Sequence, residues 1–117
     1  MHVMGIDLGT GGARAIVMRV QDGRILGQGS APMELLHPQA AWSEQRPDDW
    51  WGATCTAISA ALHDADLSGS DIKAVALTGQ MHGCTLVDAA DQPVRNALLW
   101  NDQRTTAQCE SLSRALS

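Results

Sequence analysis

The hydrophobic positions of the chain alternate at its start and recur at helical spacing in its middle. From His2 to Leu8 the residues Met4, Ile6 and Leu8 fall on one face and Val3, Gly5 and Asp7 on the other, the two-residue period of a strand. A second run, Ala13 to Val20, sets Ile16, Met18 and Val20 against Ala15 and Val17. Apolar residues on both faces predict a central position covered on both sides. Gln21-Asp22-Gly23-Arg24 is a turn signal, and Ile25 to Ala31 follows as a third strand, so the chain opens as an antiparallel β-meander.

Pro32 to Arg46 is a polar loop containing Trp42-Ser43-Glu44-Gln45. A helix opens at Pro47, a favoured first helical position, and Asp48 and Asp49 complement its dipole. Trp50, Ala53, Thr54, Ala57, Ile58, Ala61 and Leu62 recur on one helical face and predict its buried side. Leu67-Ser68-Gly69-Ser70 ends the helical region. Ile72 to Thr78 is then a parallel strand reached by this crossover helix. Cys84 to Val87 and Pro93 to Leu99 flank the turn Asp88 to Gln92 and predict another strand pair, and a last helix starts near Thr105. Together these elements predict an α/β unit of the ribonuclease-H-like type, with a core led by Ile6, Leu8, Ile16, Ile58, Val75 and Leu77.

Composition narrows the function. With 117 residues the chain is long enough for one domain with a core. A net charge of −5 with no basic cluster argues against a nucleic-acid surface. No apolar run is long enough to cross a membrane, and no signal peptide follows Met1. Cys55, Cys84 and Cys109 form neither a CxxC pair nor a zinc pattern, which predicts free thiols in a reducing cytoplasm.

Three segments carry candidate chemistry. In the first, Gly9-Thr10-Gly11-Gly12 joins two strands as a hairpin. Glycine reaches positive φ freely, so such a turn can be tight and aim its N–H groups together at a phosphate. Asp7 at the strand end would repel a bare phosphate and makes sense with Mg²⁺ between them. The plain alternative is a glycine-rich hairpin with a solvated carboxylate. The second, Gln80-Met81-His82-Gly83, stands past a strand's C-terminal end, where α/β sheets bind ligands; Gln80 and His82 can bond hydroxyls. Its alternative is a loop with a packed Met and a surface His. The third, Trp100-Asn101-Asp102-Gln103-Arg104, offers an aromatic plate for a sugar face and an amide and carboxylate for its hydroxyls. Its alternative is a helix start, with Trp100 in the core and Asp102 as a cap paired to Arg104.

Occurring together and in this order, Gly5-Ile6-Asp7-Leu8-Gly9-Thr10, Trp42-Ser43-Glu44-Gln45, Gln80-Met81-His82-Gly83 and Leu99-Trp100-Asn101-Asp102-Gln103-Arg104 make the whole chain resemble the N-terminal part of the FGGY family of carbohydrate kinases. The first segment is shared across the actin-like ATPase superfamily. The Gln80-Met81-His82-Gly83 and Trp100-Asn101-Asp102-Gln103-Arg104 segments point to the xylulose-phosphorylating branch, since glycerol kinases carry an Arg-Glu pair where Met81-His82 stands. The resemblance implies transfer of the γ-phosphoryl group of ATP to a sugar hydroxyl with Mg²⁺. It implies that Asp7 organises metal and phosphates, that Gly9, Thr10, Gly11, Gly12 and Arg14 face the phosphates, and that Gln80, Met81, His82, Trp100, Asn101, Asp102 and Arg104 line or support the sugar pocket. Gly11 departs from relatives that often carry a hydroxyl residue there.

The same resemblance places residues 1–117 within the first of two actin-like domains. The family's catalytic base is an Asp further along; no residue here matches it, and neither Asp7 nor Asp102 takes that role. The chain alone is therefore expected to be inactive, and to form a homo-oligomer through uncovered apolar surface and strand edges. Competing readings are a sibling FGGY kinase for another ketose or gluconate, and a non-enzymatic sugar- or nucleotide-binding module or regulatory actin-like domain. The Trp100 to Arg104 segment argues against the last, which needs no sugar pocket.

Overall fold

The computed structural model describes residues 1–116. It contains strands β1 (His2–Gly9), β2 (Gly12–Arg19) and β3 (Arg24–Pro32), the two-residue strand β4 (Glu44–Gln45), helix α1 (Pro47–Asp64), a short 3-10 turn (Gly69–Asp71), strands β5 (Ile72–Gly79) and β6 (Ala97–Leu98), and helix α2 (Thr106–Leu116). The chain divides into two compact units, one made of Met1–Glu34 and Pro47–Met81, the other of Leu35–Arg46 and His82–Ser117.

The first unit is a four-stranded sheet in the order β3-β2-β1-β5. β1, β2 and β3 form the expected antiparallel meander, and β5 joins β1 in parallel after the α1 crossover. The β2–β3 turn uses Gly23 at φ 69°, and Asp22 accepts the Arg24 N–H at 3.2 Å. Parallel pairing brings the C-terminal ends of β1 and β5 to one edge, with Leu8 opposite Gly79. The Gly9–Gly12 hairpin and Gln80 follow directly from that edge.

The core lies between the sheet and α1. Met4 and Ile6 of β1, Ala13, Ala15 and Val17 of β2 and Ala31 of β3 meet Ala53, Ala57 and Ala61 of the helix. The expected helical face is present, but only its alanines are fully buried; Trp50, Thr54, Ile58 and Leu62 flank the seam, half-buried. The cause lies on β3. A Cβ at Gly27 would stand 2.5 Å from the Ala61 carbonyl oxygen and the Ala65 nitrogen. One at Gly29 would stand 2.6 Å from the Ala61 nitrogen and would also meet the Ala57 carbonyl oxygen. The helix backbone thus rests almost on the strand, and only small residues fit the seam. Asp64, at the end of α1, accepts the Gln28 N–H of this edge strand at 3.0 Å.

The expected two-sided cover and part of the expected core are not found. Ile6 is buried, but Leu8, Ile16 and Ile58 are half-buried, and Val75 and Leu77 are 56% and 76% exposed. Helix α1 packs on β3 and β2 and reaches β1 only slightly, so of the large apolar residues of β5 Ile72 packs against the core while Val75 and Leu77 lie beyond it. On the opposite sheet face Gly5, Asp7, Arg14, Ile16, Ala76 and Thr78 line an open cavity of about 280 Å³. Apolar alternation reports which residues suit a covered face, not which element covers it.

In the second unit β4 and β6 pair antiparallel, Glu44 opposite Leu98 and Gln45 opposite Ala97. Pro32 to Arg46 is therefore not simply a polar loop: Ser43, Glu44 and Gln45 are all buried. The expected pairing of residues 84–87 with 93–99 survives as single bridges, Cys84 with Leu98 and Val87 with Pro93. Its turn is held by Asp88 Oδ1, which accepts the N–H groups of Ala90 and Gln92 at 2.8 and 3.0 Å. The strand that leads to Trp100 is fixed on both sides, by β4 and by its own hairpin partner Cys84.

The close seam makes a prediction. Gly29→Ala forces a methyl against helix backbone and is expected to destabilise the chain by roughly 1–3 kcal/mol. Gly11→Ala, whose Cβ would meet nothing within 4 Å, is expected to be near neutral. Urea denaturation of both variants checks the contrast.

Candidate functional site

In the first unit the structure brings the first segment and Gln80 together. The hairpin turn is Thr10-Gly11, with Gly9 paired to Gly12. None of its glycines uses positive φ; Gly23 is the glycine of the described residues that does. The expected reason for the glycines is thus corrected for this turn. Gly12 is required for a different reason: a Cβ there would run into the Ala31 carbonyl oxygen and stand 3.1 Å from the Pro32 Cα. Gly11 faces open space and accepts the Met33 N–H at 3.2 Å. Thr10 donates its hydroxyl to Gln80 Oε1 at 3.2 Å, tying the hairpin to the residues after β5. Asp7 is exposed, with Arg14 opposite on β2 and Thr78 opposite on β5. All three line the open cavity. Met81, the last residue of this unit, is 71% exposed. Among the described residues no group of three or more His, Cys, Asp and Glu side chains could hold a metal.

In the second unit the structure assembles His82 with the third segment. Gly83 approaches the Leu98 backbone closely, and Cys84 and Leu98 exchange hydrogen bonds of 2.8 and 2.9 Å. Antiparallel register then sets His82, two residues before this bridge, and Trp100, two residues after it, at the same end. His82 holds φ 60°, a backbone state uncommon outside glycine and one that recurs at functional sites. Trp100 is 60% exposed. Asn101 Oδ1 is shut off from solvent with no hydrogen-bond partner among the described residues, and a buried acceptor left so calls for an explanation.

Asp102 and Arg104 turn inward. Asp102 accepts the Ser43 N–H at 2.7 Å, the Arg104 N–H at 3.0 Å, and the Arg104 guanidinium through Nε at 2.8 Å and Nη2 at 2.7 Å. Arg104 also reaches Glu44 Oε1 through Nη1 at 2.8 Å and lies over the Trp42 ring at 3.7 Å. Glu44 is further paired to Arg95 at 2.7 Å and accepts from Asn96 at 3.0 Å. The Arg104 guanidinium, followed by the Ser43 and Arg104 N–H groups, holds the Asp102 carboxyl far below the usual carboxylate range against the opposing pull of burial. Burial alone would raise the Glu44 carboxyl, but bonds from Asn96 and Arg104 and the two guanidinium charges outweigh it, so it too lies low.

Sequence reasoning gave Glu44, Arg95 and Asn96 no role. Glu44 stood in a quoted motif, but its partners lie 51 to 60 positions away, and local polarity marked it as solvated.

The whole arrangement has known counterparts. Residues 2–117 match the model of the N-terminal domain of the FGGY family of carbohydrate kinases, and the chain belongs to that family. Within it, the chain is 40% identical over 108 residues to the xylulose kinase of Bacillus subtilis, covering 92% of this chain and 21% of that protein. The solved structure of a xyloylose kinase from Brucella ovis superposes with a TM-score of 0.89 at 36% identity, covering 96% of this chain and 23% of that one. A gluconate kinase from Lactobacillus acidophilus, 18% identical, shares the fold with a TM-score of 0.88 over 97% of this chain and 22% of that one. The chain thus spans about a fifth to a quarter of the length of these relatives. The fold is the actin-like ATPase fold of FGGY sugar kinases, represented here in part, as expected from the sequence.

The depressed carboxyls give a pH prediction. An unfolded carboxyl titrates near pH ~4. Because the folded pKa values of Asp102 and Glu44 lie lower, the stability they confer is complete above that pH and drains as pH falls toward the folded values. Urea midpoints measured from pH 7 to 3 should fall with acid in the wild type. In Asp102→Asn they should start lower and fall less steeply.

Proposed function

We propose that this chain is the N-terminal part of the first domain of an ATP-dependent xylulokinase, which phosphorylates D-xylulose to D-xylulose 5-phosphate. The observation that carries the reading is the turn at Trp100-Asn101. An exposed indole stands at the same end of the Cys84–Leu98 pairing as His82, on a backbone tied to Asp102 and Glu44. Such a plate suits a sugar face, and the half-buried Asn101 amide beside it suits a hydroxyl. His82 at the same end of the pairing supplies a second hydroxyl contact, with Met81 preceding it in the chain. The 40% identity to a xylulose kinase supports the choice of ketose.

Asp7, with Gly9, Thr10, Gly11, Gly12 and Arg14, serves the phosphate side of ATP. One carboxylate at a strand end does not make a protein cage for a metal, but it fits Mg²⁺ delivered with phosphates, which keeps water and phosphate oxygens as its other ligands. The bound ion would neutralise phosphate charge during transfer. Asp102 is not the base that takes the sugar proton. Its oxygens are occupied by Arg104 and Ser43 and its carboxyl lies far below working pH, whereas a general base needs a free lone pair and a pKa near that pH. Asp102 and Arg104 support the sugar turn from behind. The three free cysteines agree with a cytoplasmic enzyme.

In the intact kinase, Asp7→Ala is expected to lower kcat far more than it raises the sugar KM, each ~1.4 kcal/mol lost being tenfold in rate. His82→Ala is expected to raise the ketose KM while leaving the ATP KM within about twofold, a lost polar contact being worth roughly 0.5–1.5 kcal/mol. Steady-state kinetics in both substrates separates the two roles. Equal movement of both KM values in His82→Ala would make that residue structural.

The 117-residue chain by itself is proposed to be inactive and to self-associate, because Val75 and Leu77 present apolar surface beside the β5 edge. Light scattering at tens of micromolar should find a homo-oligomer; a stable monomer defeats this.

A further inference from the structure

Glu44 is the most deeply buried carboxylate that the proposed chemistry leaves unused. Its residue is 4% exposed. Its main chain is fixed twice, by reciprocal bonds with Leu36 at 2.9 Å and by pairing opposite Leu98. Its carboxylate accepts hydrogen bonds from Arg95 and Asn96, before β6, and is ion-paired with Arg104, after it. The residues between these partners include Trp100 and Asn101. The backbone just before Glu44 is bonded to the same turn: the Ser43 carbonyl accepts the Leu99 N–H, and the Ala41 carbonyl accepts the Gln103 N–H, both at 3.0 Å.

We propose that Glu44 is a positioning residue for sugar recognition, holding the Trp100-Asn101 turn by clamping both of its flanks through Asn96 and Arg104. The proposal rests on the kinase reading for its sugar, but the clamp itself belongs to this chain. Arg104 is shared between Glu44 and Asp102, and its planar fork meets both carboxylates at once, which a lysine cannot do. With Glu44 neutralised, Arg104 keeps Asp102 but loses the contact that fixes its other side, and Arg95 and Asn96 lose theirs. The turn then keeps its fold while its outward residues lose their setting. Small displacements of positioning groups weigh heavily on recognition.

Two measurements test this on separate footings. In the 117-residue chain, amide hydrogen exchange of Glu44→Gln is expected to speed up at Leu99, Asp102, Gln103 and Arg104 and to stay unchanged in β1 and β2. Arg104→Lys should give the same map. In the intact kinase, Glu44→Gln is expected to raise the ketose KM roughly ten- to hundredfold with the ATP KM within about twofold, and Glu44→Asp, which keeps the charge, to recover part of the loss. Unchanged exchange at the turn overturns the clamp whatever the enzyme does. Faster exchange with an unchanged ketose KM overturns the positioning role. If the wild-type kinase ignores xylulose but phosphorylates another sugar, the proposed ketose fails. The clamp is then judged by the same KM split for that sugar.

Discussion

One guanidinium holds the second unit in shape. Arg104 lies between two buried carboxylates, Asp102 and Glu44, with the Trp42 ring beneath it. Charges leave water at a large cost, so a buried cluster of this kind adds little net stability, but it tolerates no missing member. What it provides is uniqueness. A placement of the Trp100 turn that draws Arg104 away leaves Asp102 and Glu44 buried without that counter-charge. Exposed residues that recognise a ligand can be polar, aromatic and irregular because the layer behind them permits only one arrangement.

The first unit reaches definition by the opposite route. There it is the lack of side chains on β3 that lets the α1 backbone settle against Gly27 and Gly29. With the helix fixed on β2 and β3, β1 and β5 run parallel to a common edge, and the glycine hairpin and Gln80 follow from it. Close packing by small residues and charge pairing by large ones are two answers to one demand: a surface whose residues are free for a ligand must be rigid from beneath.

Much of this was legible in the sequence. Period-two alternation, Gly23 and Pro47 located the meander and the helix, and the compact run from Ile72 located β5. The segments around Asp7, His82 and Trp100 carried the family. Three things were hidden. The seam was hidden because glycine on a strand looks like weakness until its neighbour is known. The exposure of Val75 and Leu77 was hidden because hydrophobicity does not say what covers a residue. The burial of Glu44 was hidden because a charged residue looks solvated until its counter-charges, more than fifty positions away, are found. The inward turn of Asp102 and Arg104 stood among the open alternatives, as a cap paired to a neighbouring cation.

The division of the chain carries a consequence for its synthesis. Leu35–Arg46 is interposed between β3 and α1, yet it belongs to the unit completed by the last third of the chain. Ser43 meets Asp102 across 59 positions. On the ribosome β1, β2 and β3 emerge with their partners nearly adjacent in sequence, and β5 then pairs with β1, Ile72 opposite His2, whereas Glu44 must wait in water until Arg104 has been made. Contacts of long sequence separation form slowly. The nascent chain thus completes its β1–β2 hairpin first and its Trp100 turn last, so a translational pause before Arg95 leaves a folded sheet carrying an unfinished loop.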